Sequence, residues 1–214
     1  MRVEKGSVIG YQDMSISYVL LKKSEESRKL GIIMPGAGYT VQAPLLHYTT
    51  GILLNKSYDV LHINYQYNSQ AYDTFTYEDI VEAIQFDVKT VIDKVLSETN
   101  YEEYGLVAKS IGTIGLGSEL QRPEFREAKA VWMTPLLSRD IVYESMVQSH
   151  QSALCLIGDQ DPYFIKERFE KVSEKDNIEA LLIADVNHSM EYEDDSLKSV
   201  EVLKDVMAKM NHYF

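Results

Sequence analysis

The sequence predicts an α/β protein: a three-layer α/β/α arrangement around a mostly parallel sheet, with an antiparallel hairpin at the N-terminus. Three observations predict it. From residue 29 onward, short apolar runs alternate with longer amphipathic stretches as strand, helix, strand, helix, five times over. Those runs are near-continuously apolar, which is how strands covered on both faces read, and helical crossovers between parallel strands supply the cover. Before residue 29, two strand-like runs follow one another with no helical segment between them.

The elements follow in order. SVIGY (7–11) and MSISYVLL (14–21) make the hairpin, turning at Gln12-Asp13. KLGIIM (29–34) is the next strand, ended by PGAGYT, followed by a helix around 43–55 and the strand SYDVLHINY (57–65). Residues 78–97 carry Ile80, Val81, Ile84, Val88, Val91, Ile92 and Val95, a spacing that lays one apolar stripe along a helix. YGLVAK (104–109) is a strand and IGTIGLGSELQ begins a helix; AKAVWMT (128–134) is a strand, with a helix around 138–149. SALCLIG (152–158) leads into the helix PYFIKERFEKVSE, and IEALLIAD (178–185) into a last helix at 194–211. No repeat, low-complexity tract or Pro/Gly-rich linker interrupts the chain, and 214 residues suit one core, so 1–214 reads as a single domain.

Composition narrows the function classes. With 33 acidic against 21 basic side chains the formal net charge is −12. No basic stripe is present to neutralise phosphates, so neither nucleic acid nor an anionic membrane surface is an expected partner. Cys155 is the only cysteine, which excludes an intramolecular disulfide and a cysteine-based metal site; in ALCLIG it reads as a small buried hydrophobe. No metal or organic cofactor is expected. The first residues, MRVEKGSVIGYQD, lack the apolar region of a secretion signal, and a cytoplasmic location is the default expectation. In that setting the sequon Asn187-His188-Ser189 reads as a chance match.

In open parallel sheets ligands bind at the carboxyl ends of the strands, and four such ends carry chemistry. The first is GLVAKSIGTIG (105–115), where Lys109 precedes Ser110 among small residues. A phosphate loop needs glycine directly before the lysine, and Ala108 stands there; GTIGLG is spaced G-x-x-G-x-G, unlike a dinucleotide fingerprint. A nucleophile on a sharp strand-to-helix turn instead needs small residues two before and two after it, and Ala108 and Gly112 satisfy that around Ser110. Its place at a helix N-terminus also favours developing negative charge. The plain alternative is a helix-capping serine.

A serine nucleophile needs a base, and the base an orienting acid. Asp159-Gln160-Asp161-Pro162 follows the strand SALCLIG, and Val186-Asn187-His188-Ser189 follows IEALLIAD. His188 is the one histidine of five in a loop just past a late core strand: His47 and His212 lie in helical contexts, His62 in a strand and His150 in a polar turn. The fourth end, Pro35-Gly36-Ala37-Gly38-Tyr39, has two glycines that let backbone N–H groups face inward.

With these residues in this order, the chain resembles the α/β-hydrolase family over nearly its whole length, and its small, nearly capless form resembles the dienelactone hydrolase and esterase-like members. The resemblance implies Ser110 as nucleophile, Asp161 as acid and His188 as base, with Asp159 as fallback acid and Asp185 as an outside one. It implies the N–H groups of Ile111 and Ala37 as oxyanion donors. Gly38, Tyr39 and Lys109 are the expected substrate-binding residues. Two departures stand out: Ala108 replaces the first glycine of the usual G-x-S-x-G, and Pro35-Gly36 stands where His-Gly is frequent. Lys109 beside the nucleophile is unusual; its plain reading is a solvated side chain, its other reading an ion pair or the steering of an acidic substrate. The short stretch between AKAVWMT and SALCLIG leaves no room for a large lid, and the tyrosine-rich loop Gln66–Tyr77 is expected to wall the pocket. The implied function is hydrolysis of a small carboxylic ester or thioester through an acyl-enzyme; the alternative is a non-catalytic scaffold of the same fold that binds a small molecule or a protein.

Overall fold

The computed structural model describes residues 1–24 and 26–214. Eight strands form one sheet: β1 (Arg2–Ile9), β2 (Ser15–Lys22), β3 (Lys29–Met34), β4 (Tyr58–Asn64), β5 (Glu103–Lys109), β6 (Lys129–Met133), β7 (Ala153–Gly158) and β8 (Ile178–Ile183). Their order across the sheet is β1-β2-β4-β3-β5-β6-β7-β8. The β1–β2 and β2–β4 pairs are antiparallel, and every pair from β4–β3 to β7–β8 is parallel. The helices are α1 (Pro44–Asn55), α2 (Tyr77–Leu96), α3 (Gly112–Glu119), α4 (Asp140–Gln148), α5 (Lys166–Ser173) and α6 (Ser196–Tyr213).

Two apolar layers flank the sheet, and side-chain alternation along each strand feeds both. On one face Ile32, Leu106, Ala108, Ala130 and Trp132 pack with Ile84, Val88 and Val91 of α2 and with residues of α3, α4 and α5. On the other, Ile33, Val107, Val131 and Met133 pack with Leu45, Leu46 and Leu53 of α1 and Val202, Val206 and Met210 of α6. Both faces of β5 are thus buried from Gly105 on, which is why Gly105, Leu106, Val107 and Ala108 run apolar without a break. Cys155 lies in this core, and burial pushes its thiol up to about 12.

The apolar stripe of α2 includes one carboxylate, Asp87. It accepts from the Tyr67 hydroxyl and from the Tyr11 backbone N–H, each at 2.7 Å, and so ties the hairpin turn and the 66–77 loop to the helix. Burial raises the pKa of Asp87, against the lowering pull of those hydrogen bonds from Tyr67 and Tyr11.

Two boundaries differ from expectation. The first strand of the hairpin reaches back to Arg2, because Arg2, Glu4 and Lys5 sit on an edge strand with little buried surface, where charge replaces the apolar signal; Glu4 pairs with Arg2 and with Lys22 of β2. Helix α5 starts at Lys166, four residues beyond Pro162. Residues 162–165 are held in a turn instead, with Asp161 Oδ1 accepting from Tyr163 N at 2.8 Å and the Asp161 carbonyl from Phe164 N at 2.9 Å. That turn aims the other carboxylate oxygen sideways.

Glycine at the end of β7 is a geometric requirement. A Cβ on Gly158 would stand 2.0 Å from the Val186 carbonyl oxygen, in the loop after β8. Gly158→Ala is expected to lower stability by roughly 1–3 kcal/mol in chemical denaturation. Gly51→Ala, in the middle of α1 with no heavy atom within 4 Å of the added methyl, is expected to raise it by about 0.5–1 kcal/mol.

Candidate active site

The site is assembled from four strand ends. At the end of β5 the chain turns through Ser110 with φ of 54°, a left-handed conformation that a non-glycine residue rarely adopts. The turn is held by Ser110 N donating to Met133 O at 3.0 Å and by Thr113 N donating to Ser110 O at 2.9 Å. It brings Gly112 so close to β3 that a Cβ there would lie 2.4 Å from Met34 O and 2.7 Å from Pro35 O. Ala108, two residues before the serine, is fully buried, and its single methyl fits.

Ser110 does not cap the helix with its side chain. Its hydroxyl lies 2.7 Å from His188 Nε2, and His188 Nδ1 lies 2.7 Å from Asp161 Oδ2. A carboxylate only accepts, so Nδ1 carries the proton and Nε2 is left to accept from the serine hydroxyl. The Asp161 side chain is wholly buried, whereas His188 keeps 27% of its side chain exposed. His188 sits in a loop shaped by Asn187, whose Oδ1 accepts from Ser189 N at 2.8 Å, and by Met190 at φ 64°. The Tyr163 ring packs 5.1 Å from the imidazole. Asp159 is engaged elsewhere, taking Asp185 N at 2.8 Å.

The Pro35–Tyr39 loop folds over the serine. The Cβ position of Gly36 is 3.4 Å from Ser110 Cβ, Gly36 N donates to Tyr39 O at 3.1 Å, and the Tyr65 hydroxyl donates to Pro35 O at 2.6 Å. Among the described residues, the backbone N–H groups of Ala37 and Ile111 donate to no protein acceptor. Gly38 is exposed at the tip, beside Asn68, and Tyr39 is half-buried, its hydroxyl taking Leu45 N at 3.0 Å.

Lys109 corrects the expectation of a solvated side chain. Along β5 it points the same way as Val107, into the α1/α6 layer, and is 1% exposed. Its Nζ donates to His188 O at 2.8 Å and to Thr134 Oγ1 at 3.1 Å, and lies 4.4 Å from the centre of the Tyr39 ring. The 66–77 loop is corrected as well. Tyr67 and Tyr72 turn into the core, Tyr67 stacking on Tyr65 at 4.7 Å, so that Asn68 is the part of the loop that reaches Gly38. Thr134, Tyr65 and Tyr163 were not foreseen; Thr134 also ends a strand, β6, and the same rule that singled out the other strand ends applies to it.

The fold recurs in solved structures. The chain matches an α/β serine hydrolase homologue from Coxiella burnetii with a TM-score of 0.72 at 15% identity, over 96% of each chain. It has the α/β-hydrolase fold. A serine hydrolase without a lid from Xanthomonas campestris is similar at TM-score 0.71 and 13% identity, over 99% of this chain and 93% of that one. A cold-adapted esterase from an Arctic intertidal metagenomic library gives 0.71 and 12%, over 99% and 94%. No protein-family model and no curated protein matches the sequence. In this chain the segment 134–152 carries only α4, and no helix among the described residues is long and apolar enough to cross a membrane.

Burial lowers the Lys109 pKa to about 8 from an ordinary value of 10.5, against the opposing pull of Asp161 and Glu191. Between those two values the unfolded chain holds a proton that the folded chain has released, so stability rises with pH across that window. The difference in stability between wild type and Lys109→Met, measured by denaturant melts from pH 7 to 10.5, is expected to shift in favour of the wild type as pH rises.

Proposed function

We propose that this protein is a serine hydrolase that cleaves a small carboxylic ester or thioester through an acyl-enzyme. The observation that carries the reading is the unbroken relay from Ser110 Oγ to His188 to buried Asp161, both contacts at 2.7 Å, mounted on a strained turn. Helix capping does not require the left-handed serine, and a core histidine does not require an aligned partner on each nitrogen. The similarity to proteins described as serine hydrolases and esterases points the same way.

In the proposed reaction, Ser110 Oγ attacks the carbonyl carbon as His188 Nε2 takes the hydroxyl proton. The carbonyl oxygen gains the negative charge and is held by the N–H groups of Ile111 and Ala37, a donor of this kind being worth on the order of 10²–10³ in rate. His188 then protonates the departing alkoxide or thiolate as the carbon–heteroatom bond breaks. A water molecule, losing its proton to the same nitrogen, attacks the acyl-enzyme, and as the Ser110 Oγ–carbon bond breaks His188 returns that proton to Ser110 Oγ, releasing the acid. Asp161 holds the Nδ1–H tautomer and stabilises the imidazolium that forms twice in each cycle. Small substrates suit a site over which the chain between β6 and β7 places nothing larger than α4.

A panel of nitrophenyl esters of graded acyl length tests this. Short acyl chains are expected to be hydrolysed fastest, Ser110→Ala to lower kcat by at least about 10³-fold, and Asp161→Asn by on the order of 10²–10⁴-fold. Absence of turnover with every ester, or turnover unchanged in Ser110→Ala, contradicts the reading.

A further inference from the structure

The proposed reaction leaves one buried group without a part. Lys109 is the only buried cation among the described residues, and its ammonium is met by a carbonyl, a hydroxyl and an aromatic face instead of a carboxylate. A cation in such a place costs several kcal/mol of desolvation, and an apolar side chain of the same volume would commonly serve the fold as well or better. Its three N–H bonds are all directed at parts of the site. One goes to the backbone of the residue that carries the imidazole. One goes to Thr134, at the end of β6 and itself at φ 43°. The third direction faces the ring of Tyr39, which closes the loop bearing Ala37.

We infer that Lys109 is a positioning residue, whose ammonium clamps the His188 carbonyl, Thr134 and the Tyr39 ring so that the imidazole stays in line with Ser110 and the Ala37 loop stays over it. The inference rests on the serine hydrolase reading for its effect on rate, though the clamp is a statement about geometry. The strength of the clamp comes from charge: an N⁺–H···O=C bond and a cation on a ring face are each stronger than their neutral counterparts, and burial leaves no water to compete. The charged form is therefore the one that holds the loops. The titratable groups facing it are Asp161, Glu191 beyond the His188 loop, and Tyr39, while His188 meets it through the backbone carbonyl. With the ammonium losing its proton near pH 8, the clamp loosens on the alkaline side.

Lys109→Met keeps the volume and removes the donors. It is expected to remain folded and to lower kcat on short nitrophenyl esters by about 10²-fold with KM changed less than about threefold, the loss a displacement of catalytic groups by around 1 Å produces. The fall in wild-type kcat above about pH 8 is expected to be absent from the variant, and Lys109→Arg, which keeps charge and donors, to recover part of the rate. Independently of turnover, the hydrogen-bonded Nδ1 proton of His188 is expected as a downfield proton resonance in the wild type that is lost or shifted in Lys109→Met. Folded Lys109→Met with wild-type kcat, pH profile and resonance overturns the inference. A wild type that hydrolyses no ester but shows the resonance change removes the hydrolase reading and leaves the clamp standing. If Lys109→Met does not fold, Thr134→Val removes one acceptor and leaves the lysine in place; a smaller loss with the same resonance change supports the clamp, and an unchanged kcat and resonance overturns it.

Discussion

The backbone torsion at Ser110 is the constraint on which the rest of the site depends. A serine at φ 54° costs about 1–2 kcal/mol relative to ordinary backbone, and it persists because its surroundings allow nothing else. The turn lifts the hydroxyl clear of the sheet toward His188. It also drives residue 112 against the backbone of β3, where only glycine fits, and leaves the Ile111 N–H unclaimed at the start of α3. Ala108 shows which half of the small-residue rule is strict here. The position before the serine tolerates a methyl, whereas the position after it does not.

The three side chains that meet at the site come from loops after three different strands, β5, β7 and β8, in one half of the sheet, so their alignment is a property of loop lengths and anchors. Asp161 is aimed by the turn that delays α5, His188 by the Asn187 loop and by the close contact of Gly158 with Val186. Lys109 ties the His188 loop and Thr134 to the elbow from below. Stability is placed elsewhere, in the two apolar layers, which lets the site hold a strained torsion and a buried cation at once.

Much of this was legible in the sequence. The sheet was readable because strands covered on both faces are apolar throughout, and Ser110, Asp161 and His188 because they stand just past three such strands in one chain order. What was not legible has physical reasons. Arg2, Glu4 and Lys5 hide an edge strand, since an edge exposes both its faces. Pro162 looked like a helix start, yet the Asp161 side chain captures the Tyr163 N–H and the Asp161 carbonyl that of Phe164, closing a turn first. The tyrosines of the 66–77 loop read as pocket walls because their polar tips masked the apolar rings that Asp87 and α2 bury. Lys109 was the instructive miss. Its place two residues beyond Val107 on a strand buried on both faces dictates that it points inward, but the general exposure of lysines outweighed that alternation.

Every role proposed for the site depends on Ser110 being a nucleophile activated by His188. The most direct measurement is peptide mapping by mass spectrometry after the folded protein is exposed to a fluorophosphonate. One phosphonyl adduct is expected, on the peptide containing Ser110, and none when His188 is replaced by alanine. A folded protein that takes no adduct, or takes it on another side chain, would contradict it.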